Sequence, residues 1–346
     1  IAAMFWRIAF AFAAAALLMS CSGPQRTSAP AGSSAAASGA NRVRFGANNT
    51  SLDSTLYFLT KSAGIFSRNG VDAELHPAAG AASLDSLIAG ETDGIAIGGP
   101  QTVLLAIQHG APLRIVAVPS AAYNVLIVTP SSITSLAQLK GKRVGAQSET
   151  AINAQGMRRA LHDAGLEAGR DYEFVVTGAS GSANGVFAAL VAHQIDAAPL
   201  DEFNARRAID QGGFHSLLDL ASPEAHIVAA FSVVTFRIPF IEQHPDLVQR
   251  TVDSLIEGAR YLKEHQPETI AALKSRAGID DPALLEATYQ RQALLLAKAP
   301  VVTKDRFEDA VRYLPKGAQP IGDDQLATSL EPRFVDDAVR RGLTNY

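Results

Sequence analysis

The sequence predicts a two-lobed α/β protein, and three observations carry that reading. From Arg42 onward, short apolar strands alternate with amphipathic helices, the pattern of a mostly parallel sheet covered on both faces. A second run of the same alternation begins after Thr129-Pro130-Ser131-Ser132. One short element also recurs: Leu87-Ile88-Ala89-Gly90-Glu91-Thr92-Asp93-Gly94 parallels Leu190-Val191-Ala192-His193-Gln194-Ile195-Asp196-Ala197. Each copy closes a helix, turns on an Asp and enters an apolar strand. The Asp is expected to accept backbone N–H bonds in the turn, a structural role rather than a catalytic one. Two similar lobes imply a cleft between them, and open α/β sheets take ligands beyond the carboxyl ends of their strands.

In order, strands are expected at Val43–Ala47, Val71–His76, Ile95–Ile97 and Leu113–Val118. Between them lie helices at Leu56–Ala63, stopped by Gly64, at Ala82–Ala89, closed by Gly90, and from Pro100, which favours a first helical turn. The second run reads as strands at Arg143–Ala146, Tyr172–Val176 and Asp196–Pro199, with helices at Ile152–Ala164, Val186–Ala192 and Phe203–Gln211. Val228–Phe236 is apolar and strand-like, and the remainder from Pro239 reads as helical.

The first 41 residues differ in kind. Arg7 precedes an apolar run from Ile8 to Met19, twelve residues where a membrane-spanning helix needs roughly 20. The run suits a signal-peptide core. Leu18-Met19-Ser20-Cys21 resembles a bacterial lipobox, in which the Cys becomes the acylated mature N-terminus; the plainer reading is a secretory signal with an incidental Cys. Ser22 to Asn41 is rich in Ser, Ala, Gly and Pro. It is expected to be a flexible tether with a reach of roughly 25 Å. The expected division is 1–20 signal, 21–41 linker, 42–128 first lobe, 129–229 second lobe and 230–346 completion of the first lobe.

Composition sets further bounds. The 346 residues are 47% hydrophobic and 18% charged, with a net charge of −4, so a basic nucleic-acid surface is not indicated. The single cysteine leaves no intramolecular disulfide. The eight histidines are scattered without metal-ligand spacing, so neither a metal nor a cofactor is expected. No phosphate-binding glycine loop or nucleophile elbow occurs, and an enzyme is not expected.

Candidate ligand contacts follow from position alone. Asn49 and Ser51 follow the first expected strand, Gly80 the second and Gln101 the third. Ser148 and Thr150 follow the first strand of the second run, Asp201 follows a later one, and Tyr123 sits near the expected passage between lobes. Helix starts offer unpaired N–H groups to polar ligand heads. The competing role for the Ser, Thr and Asn residues is to cap their own helices. Tyr123 serves equally well as a core or hinge residue. Glu149, Asp201 and Glu202 would disfavour an anion and suit a neutral or amine-bearing ligand, whereas as helix-start acids Glu149 and Glu202 simply meet the helix dipole.

Three segments carry a family resemblance. Tyr57 to Glu74, with Gly64, Phe66, Gly70 and Val71, resembles the A-x-x-x-G-x-F-x-x-x-G-L-x-V signature of nitrate/sulfonate/taurine-type binding proteins of ABC importers. Leu87 to Asp93 is similar to their L-x-x-G-x-x-D element. Ser135-Leu136-Ala137-Gln138-Leu139-Lys140-Gly141-Lys142-Arg143-Val144-Gly145 is similar to their S-L-x-D-L-K-G-K-x-V-G segment, with Gln138 in place of Asp. The family includes the thiamine-pyrimidine-precursor binders. The resemblance implies a type II periplasmic-binding-protein fold: two α/β lobes, two crossovers near Val125–Thr129 and Val228–Thr235, and a central ligand cleft that closes by hinge motion. It implies an extracytoplasmic solute carrier that meets an ABC permease; with the lipobox-like Cys21, a lipid-anchored monomer is expected. A sensor lipoprotein, or an enzyme on the same fold, is the alternative; the cysteine cluster of the related pyrimidine synthases is absent.

Overall fold

The computed structural model describes residues 41–47, 54–78, 81–177, 183–225, 227–277, 280–315 and 317–346. The first unit runs β1 (Arg42–Ala47), α1 (Thr55–Ser62), α2 (Ile65–Arg68), β2 (Asp72–Pro77), α3 (Ala81–Ala89), β3 (Gly94–Gly98), α4 (Pro100–Gln108) and β4 (Leu113–Ser120). The second runs β5 (Leu126–Pro130), β6 (Arg143–Ala146), α5 (Ile152–Asp163), β7 (Glu173–Val176), α6 (Ala183–Val191), β8 (Ala198–Leu200), α7 (Glu202–Asp210) and β9 (Phe214–Asp219). Then follow β10 (Ser232–Arg237), α8 (Ile238–Gln243), α9 (Pro245–Glu264), α10 (Gln266–Ala277), α11 (Pro282–Leu295), α12 (Glu308–Arg312), α13 (Asp323–Ser329) and α14 (Arg333–Arg340).

The two lobes repeat one topology. The first sheet has the order β2-β1-β3-β10-β4, in which β10 runs antiparallel to both neighbours. In the second, β8-β5-β9 and β6-β7 are joined by the parallel bridge Val144–Ala197 and by Gly145 N–H on the Ala197 carbonyl at 2.9 Å. Its order is therefore β7-β6-β8-β5-β9, with β5 antiparallel to both neighbours. Each lobe thus receives its antiparallel strand by a crossing from the other. The crossings, 121–125 and 220–231, lie side by side: Ala229 N–H donates to Ala121 O at 3.1 Å and Phe231 N–H to Ser120 O at 2.9 Å.

Most expected strands and helices lie within one or two residues of their observed bounds. Two strands were not anticipated. Leu126-Ile127-Val128-Thr129, expected as a crossover, forms β5 between β8 and β9. Its Ile127, Val128 and Thr129 are fully buried, and a buried backbone needs ladder partners that a plain connection lacks. Likewise Ser232–Thr235, expected within the second crossover, belongs to β10 in the first sheet. The other unanticipated strand is β9.

The repeated Asp elements are the same structure twice. Asp93 Oδ2 accepts the backbone N–H of Arg44 at 2.9 Å, and Asp196 Oδ2 that of Arg143 at 2.8 Å. The Asp N–H groups return the bond, to Arg44 O at 2.8 Å and Arg143 O at 2.7 Å. The donor is the neighbouring strand, β1 or β6, rather than the turn itself. Each arginine also reaches the turn: Arg44 to Gly90 O at 3.4 Å, Arg143 to His193 O at 2.9 Å. Both arginines stand in an Arg-x-Gly-Ala strand, 44–47 and 143–146. The Gln138 departure from the family pattern is also accommodated. Ser135 and Gln138 form a capping box, with Gln138 Oε1 accepting from Ser135 N–H at 3.2 Å.

The largest core lies in the first lobe, where Phe45 packs edge-on to Tyr57 and Phe236 at 5.4 and 5.6 Å. Such pairs contribute about 0.5–1.5 kcal/mol each beyond area burial. Over it lies α9, whose Leu247, Val248, Val252, Leu255, Ile256, Ala259 and Leu262 recur at helical spacing on one buried face. Gly258 lets α9 approach α1 closely, since a Cβ there would stand 1.9 Å from Thr60 Oγ1. A separate cluster joins α4, Phe307 and Ala310 to the first sheet. The C-terminal helices thereby complete the first lobe and reach the edge of the second.

Candidate functional site

Topology puts the loops after β1, β2 and β3, and those after β6, β7 and β8, at the carboxyl ends of parallel strands, where α/β sheets present ligand groups. Of the expected contacts, Asn49, Ser51 and Gly80 lie outside the described residues. Ser148 and Thr150 stand together after β6, half-buried, with their hydroxyls 3.5 Å apart. Gln155 Nε2 donates to the Thr150 carbonyl at 3.3 Å, which holds this loop on the first turn of α5. The Gln155 Oε1 is buried without a partner.

Asp201 caps α7. Its Oδ1 accepts the N–H of Asn204 at 2.8 Å and its Oδ2 the Asn204 side-chain amide at 3.1 Å. Its carboxylate is therefore engaged in capping its own helix. Gln101, the second residue of α4, is fully buried. Its Nε2 donates to the carbonyls of Ala310 at 3.0 Å and Tyr313 at 2.8 Å, tying α4 to the C-terminal segment, while Oε1 is left without a partner. Tyr123 lies in the first crossing, fully buried, with its ring edge-on to Phe231 at 6.3 Å. Its hydroxyl donates to Asp309 Oδ2 at 3.0 Å. Burial, with the Asp309 charge beside it, pushes the Tyr123 hydroxyl well above its ordinary range.

Two charged residues at this crossing were missed by sequence reasoning. Arg291 on α11 is almost fully buried. It donates Nε to Asn124 Oδ1 and grips Asp219 through both terminal nitrogens, at 2.8 and 2.9 Å. Glu202 stands 3.8 Å away on the same guanidinium. Burial pushes the Glu202 carboxyl up, with Arg291 opposing and Asp219 reinforcing the rise. Asp219 goes the other way: burial would raise it, but the Arg291 fork and the Ala221 N–H hold it below the usual carboxylate value. The second is Asp309 on α12, which accepts from Tyr123 and from Arg159 Nη1 of α5 at 2.8 Å. Burial opposes the Arg159 charge, yet its bonds to Asp309 and Asp163 hold its pKa above the ordinary value. Neither residue has a local sequence signal, because their partners lie far away in the chain. No helix among the described residues is long and apolar enough to cross a membrane, and no group of three or more metal-ligating side chains occurs among them.

Comparison with known proteins fits this geometry. The family profile described as NMT1/THI5 like matches residues 51–269. No curated protein matches the sequence. Among solved structures, the alkanesulfonate-binding protein SsuA from Xanthomonas axonopodis pv. citri, bound to MOPS, superposes with a TM-score of 0.65 at 20% identity, covering 84% of this chain and 98% of its own. A putative sulfonate ABC transporter periplasmic sulfonate-binding protein from Methylobacillus flagellatus KT gives 0.69 at 17% identity, with 87% and 94% covered. The desulfurization enzyme DSZB gives 0.61 at 17%, with 87% and 99% covered. The chain belongs to the NMT1/THI5-like family and has the periplasmic-binding-protein fold.

Proposed function

We propose that the chain is the extracytoplasmic solute-binding component of an ABC importer. It captures a small molecule between the first lobe, up to β4 and from β10 onward, and the second lobe, β5 to β9, and presents it to a permease. The observation that carries this reading is the duplicated sheet with paired crossings, the arrangement in which α/β proteins take ligands between domains, beyond the carboxyl ends of their strands. The SsuA neighbours, named as sulfonate binders of such importers, support the same class. Asn49, Ser51, Gly80, Gln101, Tyr123, Ser148, Thr150 and Asp201 are the proposed contacts. With Glu149, Asp201, Glu202 and Asp219 near one end of the second lobe and Arg291 already engaged by Asp219, a neutral or amine-bearing solute fits better than a fully charged anion.

The DSZB likeness keeps an enzyme on the same fold as the second reading, but no cysteine follows Cys21 in the sequence. Anchoring through an acylated Cys21 and a monomeric state belong to the proposal. The test is a thermal-shift screen with sulfonates, nitrate, pyrimidines, small aromatic acids and amines. A true solute at about 100 times its Kd adds about 2.7 kcal/mol to native stability. A screen in which every class leaves Tm unmoved, or in which a compound is consumed, would count against the carrier reading. For the anchor, Cys21→Ala is expected to move the protein from the membrane to the soluble fraction.

A further inference from the structure

The crossing is gripped twice, by Arg291 and Asp309, neither of them among the proposed solute contacts. Neighbouring residues Tyr123 and Asn124 are each bonded to a C-terminal helix of the first lobe, and each of those partners holds a second-lobe side chain. Arg291 of α11 joins Asn124 to Asp219, at the end of β9. Asp309 of α12 joins Tyr123 to Arg159 of α5. The two ties have opposite polarity. In one the first lobe supplies the cation; in the other it supplies the carboxylate. Arg291 and Asp309 are 9% and 2% exposed, so salt screens these pairs far less than surface ones.

We propose that these two ties form a paired latch that sets the angle between the lobes, so that closure is governed partly by residues that never touch solute. The physical argument is a population argument. A solute binds only the closed fraction, and its apparent affinity scales with that fraction. Contacts internal to the chain that bridge the lobes raise the closed fraction before solute contributes anything. Removing the Arg291 charge leaves half-buried Asp219 without its cation, and removing the Asp309 charge leaves half-buried Arg159 with Asp163 alone, so each loss disfavours the arrangement in which the lobes are tied. The inference rests on the solute-binding reading for its consequence, but its test needs no solute, so the two fail separately.

The experiment measures the interlobe distance by paired spin labels in the full chain, on a Cys21→Ser background with Ser67→Cys in the first lobe and Glu173→Cys in the second, both exposed positions. The parent is expected to show one dominant distance. Arg291→Met and Asp309→Asn are each expected to add a second, longer population. Each should lower the closed-to-open ratio about tenfold, the size of one charge-assisted bond. The double variant should exceed either single one. If either variant fails to fold, Asp219→Asn and Arg159→Gln break the same ties from their more exposed ends. Folded variants with the parent's distance distribution would overturn the proposal, as would a shift caused equally by Arg206→Gln, an exposed pair on α7 that bridges nothing between lobes.

Discussion

The two copies of the arginine–aspartate turn share a bonding pattern and differ in how deeply they are set. In the first lobe the Asp93 side chain is 9% exposed and Arg44 34%; in the second the values are 27% for Asp196 and 45% for Arg143. Asp93 takes the Arg44 guanidinium in two bonds, at 2.6 and 3.1 Å, whereas Arg143 Nε stands 3.7 Å from Asp196. In the first lobe β10 ends beside the turn: Arg237 N–H donates to Asp93 O at 3.2 Å and the Arg237 guanidinium lies against Gly90. Equal topology therefore does not imply equal stability. The turn bonded to β1 or β6 holds a partly buried ion pair in one copy and a more exposed one in the other.

The largest expected effect breaks that pair of turns. Asp93→Ala removes the acceptor of a strand N–H and both guanidinium bonds. It should destabilise the chain by about 3 kcal/mol, from an orphaned strand N–H and the loss of two charge-assisted bonds, the latter reduced by the exposure of Arg44. Asp196→Ala should cost about 1–2 kcal/mol, mainly through the orphaned Arg143 N–H. Urea denaturation of both variants checks this, and equal losses would show that burial does not separate the two copies. Next in size is Gly258→Ala, which tests the packing of α9 on the first lobe. A Cβ there overlaps Thr60 Oγ1, whose hydroxyl is held on the Leu56 carbonyl at 2.6 Å. Displacing α9 from α1 is expected to cost about 1–3 kcal/mol, seen as a lowered Tm.

Much of this comparison was legible in the sequence. The two Asp-centred elements, the strand–helix alternation and the turn glycines all act within a few residues, so periodicity and turn chemistry expose them. What was not legible depends on distant partners. β5 reads as a connection because its apolar run is short, and only its neighbours β8 and β9 make it a strand. β9, Phe214-His215-Ser216-Leu217-Leu218-Asp219, lacks a clean alternation. Arg291 meets Asn124 across 167 positions and Asp219 across 72, a pairing that leaves no spacing to read. Gln101 and Asp201 were placed correctly at helix starts, yet their side chains turn to a C-terminal carbonyl pair and to a cap. Position fixes where a side chain begins but not what it meets.

The turns also differ at one residue that exchange can probe. Gly90 has φ +82° and its counterpart His193 has φ +55°, the only non-glycine with positive φ among the described residues. A side chain in this left-handed region costs roughly 1 kcal/mol. Gly90→His should therefore lower stability by about 1 kcal/mol or more, with Arg237 forced aside. The reverse change, His193→Gly, relieves strain but loses the ring stacked on Phe214 at 5.6 Å and frees the unfolded chain. The net change is expected to stay within about 0.5 kcal/mol, and a gain above that in thermal unfolding would show that the stack contributes nothing.

The smallest expected effect concerns the two carboxylates around Arg291, and it separates them by sign. Asp219 is held below its ordinary value. Its contribution to stability is therefore present above the unfolded carboxylate pKa and is lost as pH falls through its depressed native value. Glu202 is held above its ordinary value by burial, so its contribution is present below the unfolded pKa and is lost as pH rises through the raised native value. The surrounding charges are those of Arg291, Asp201 and Arg206. The Asp219 side chain is 35% exposed, so solvent screening keeps the effect modest. Stability curves from pH 2 to 7 should then show Asp219→Asn falling furthest below the parent at neutral pH and rejoining it in strong acid. Glu202→Gln should differ in the opposite sense, gaining on the parent as pH rises through the acid range. Both variants tracking the parent in parallel would mean that Arg291 discriminates between its two carboxylates no more than solvent does.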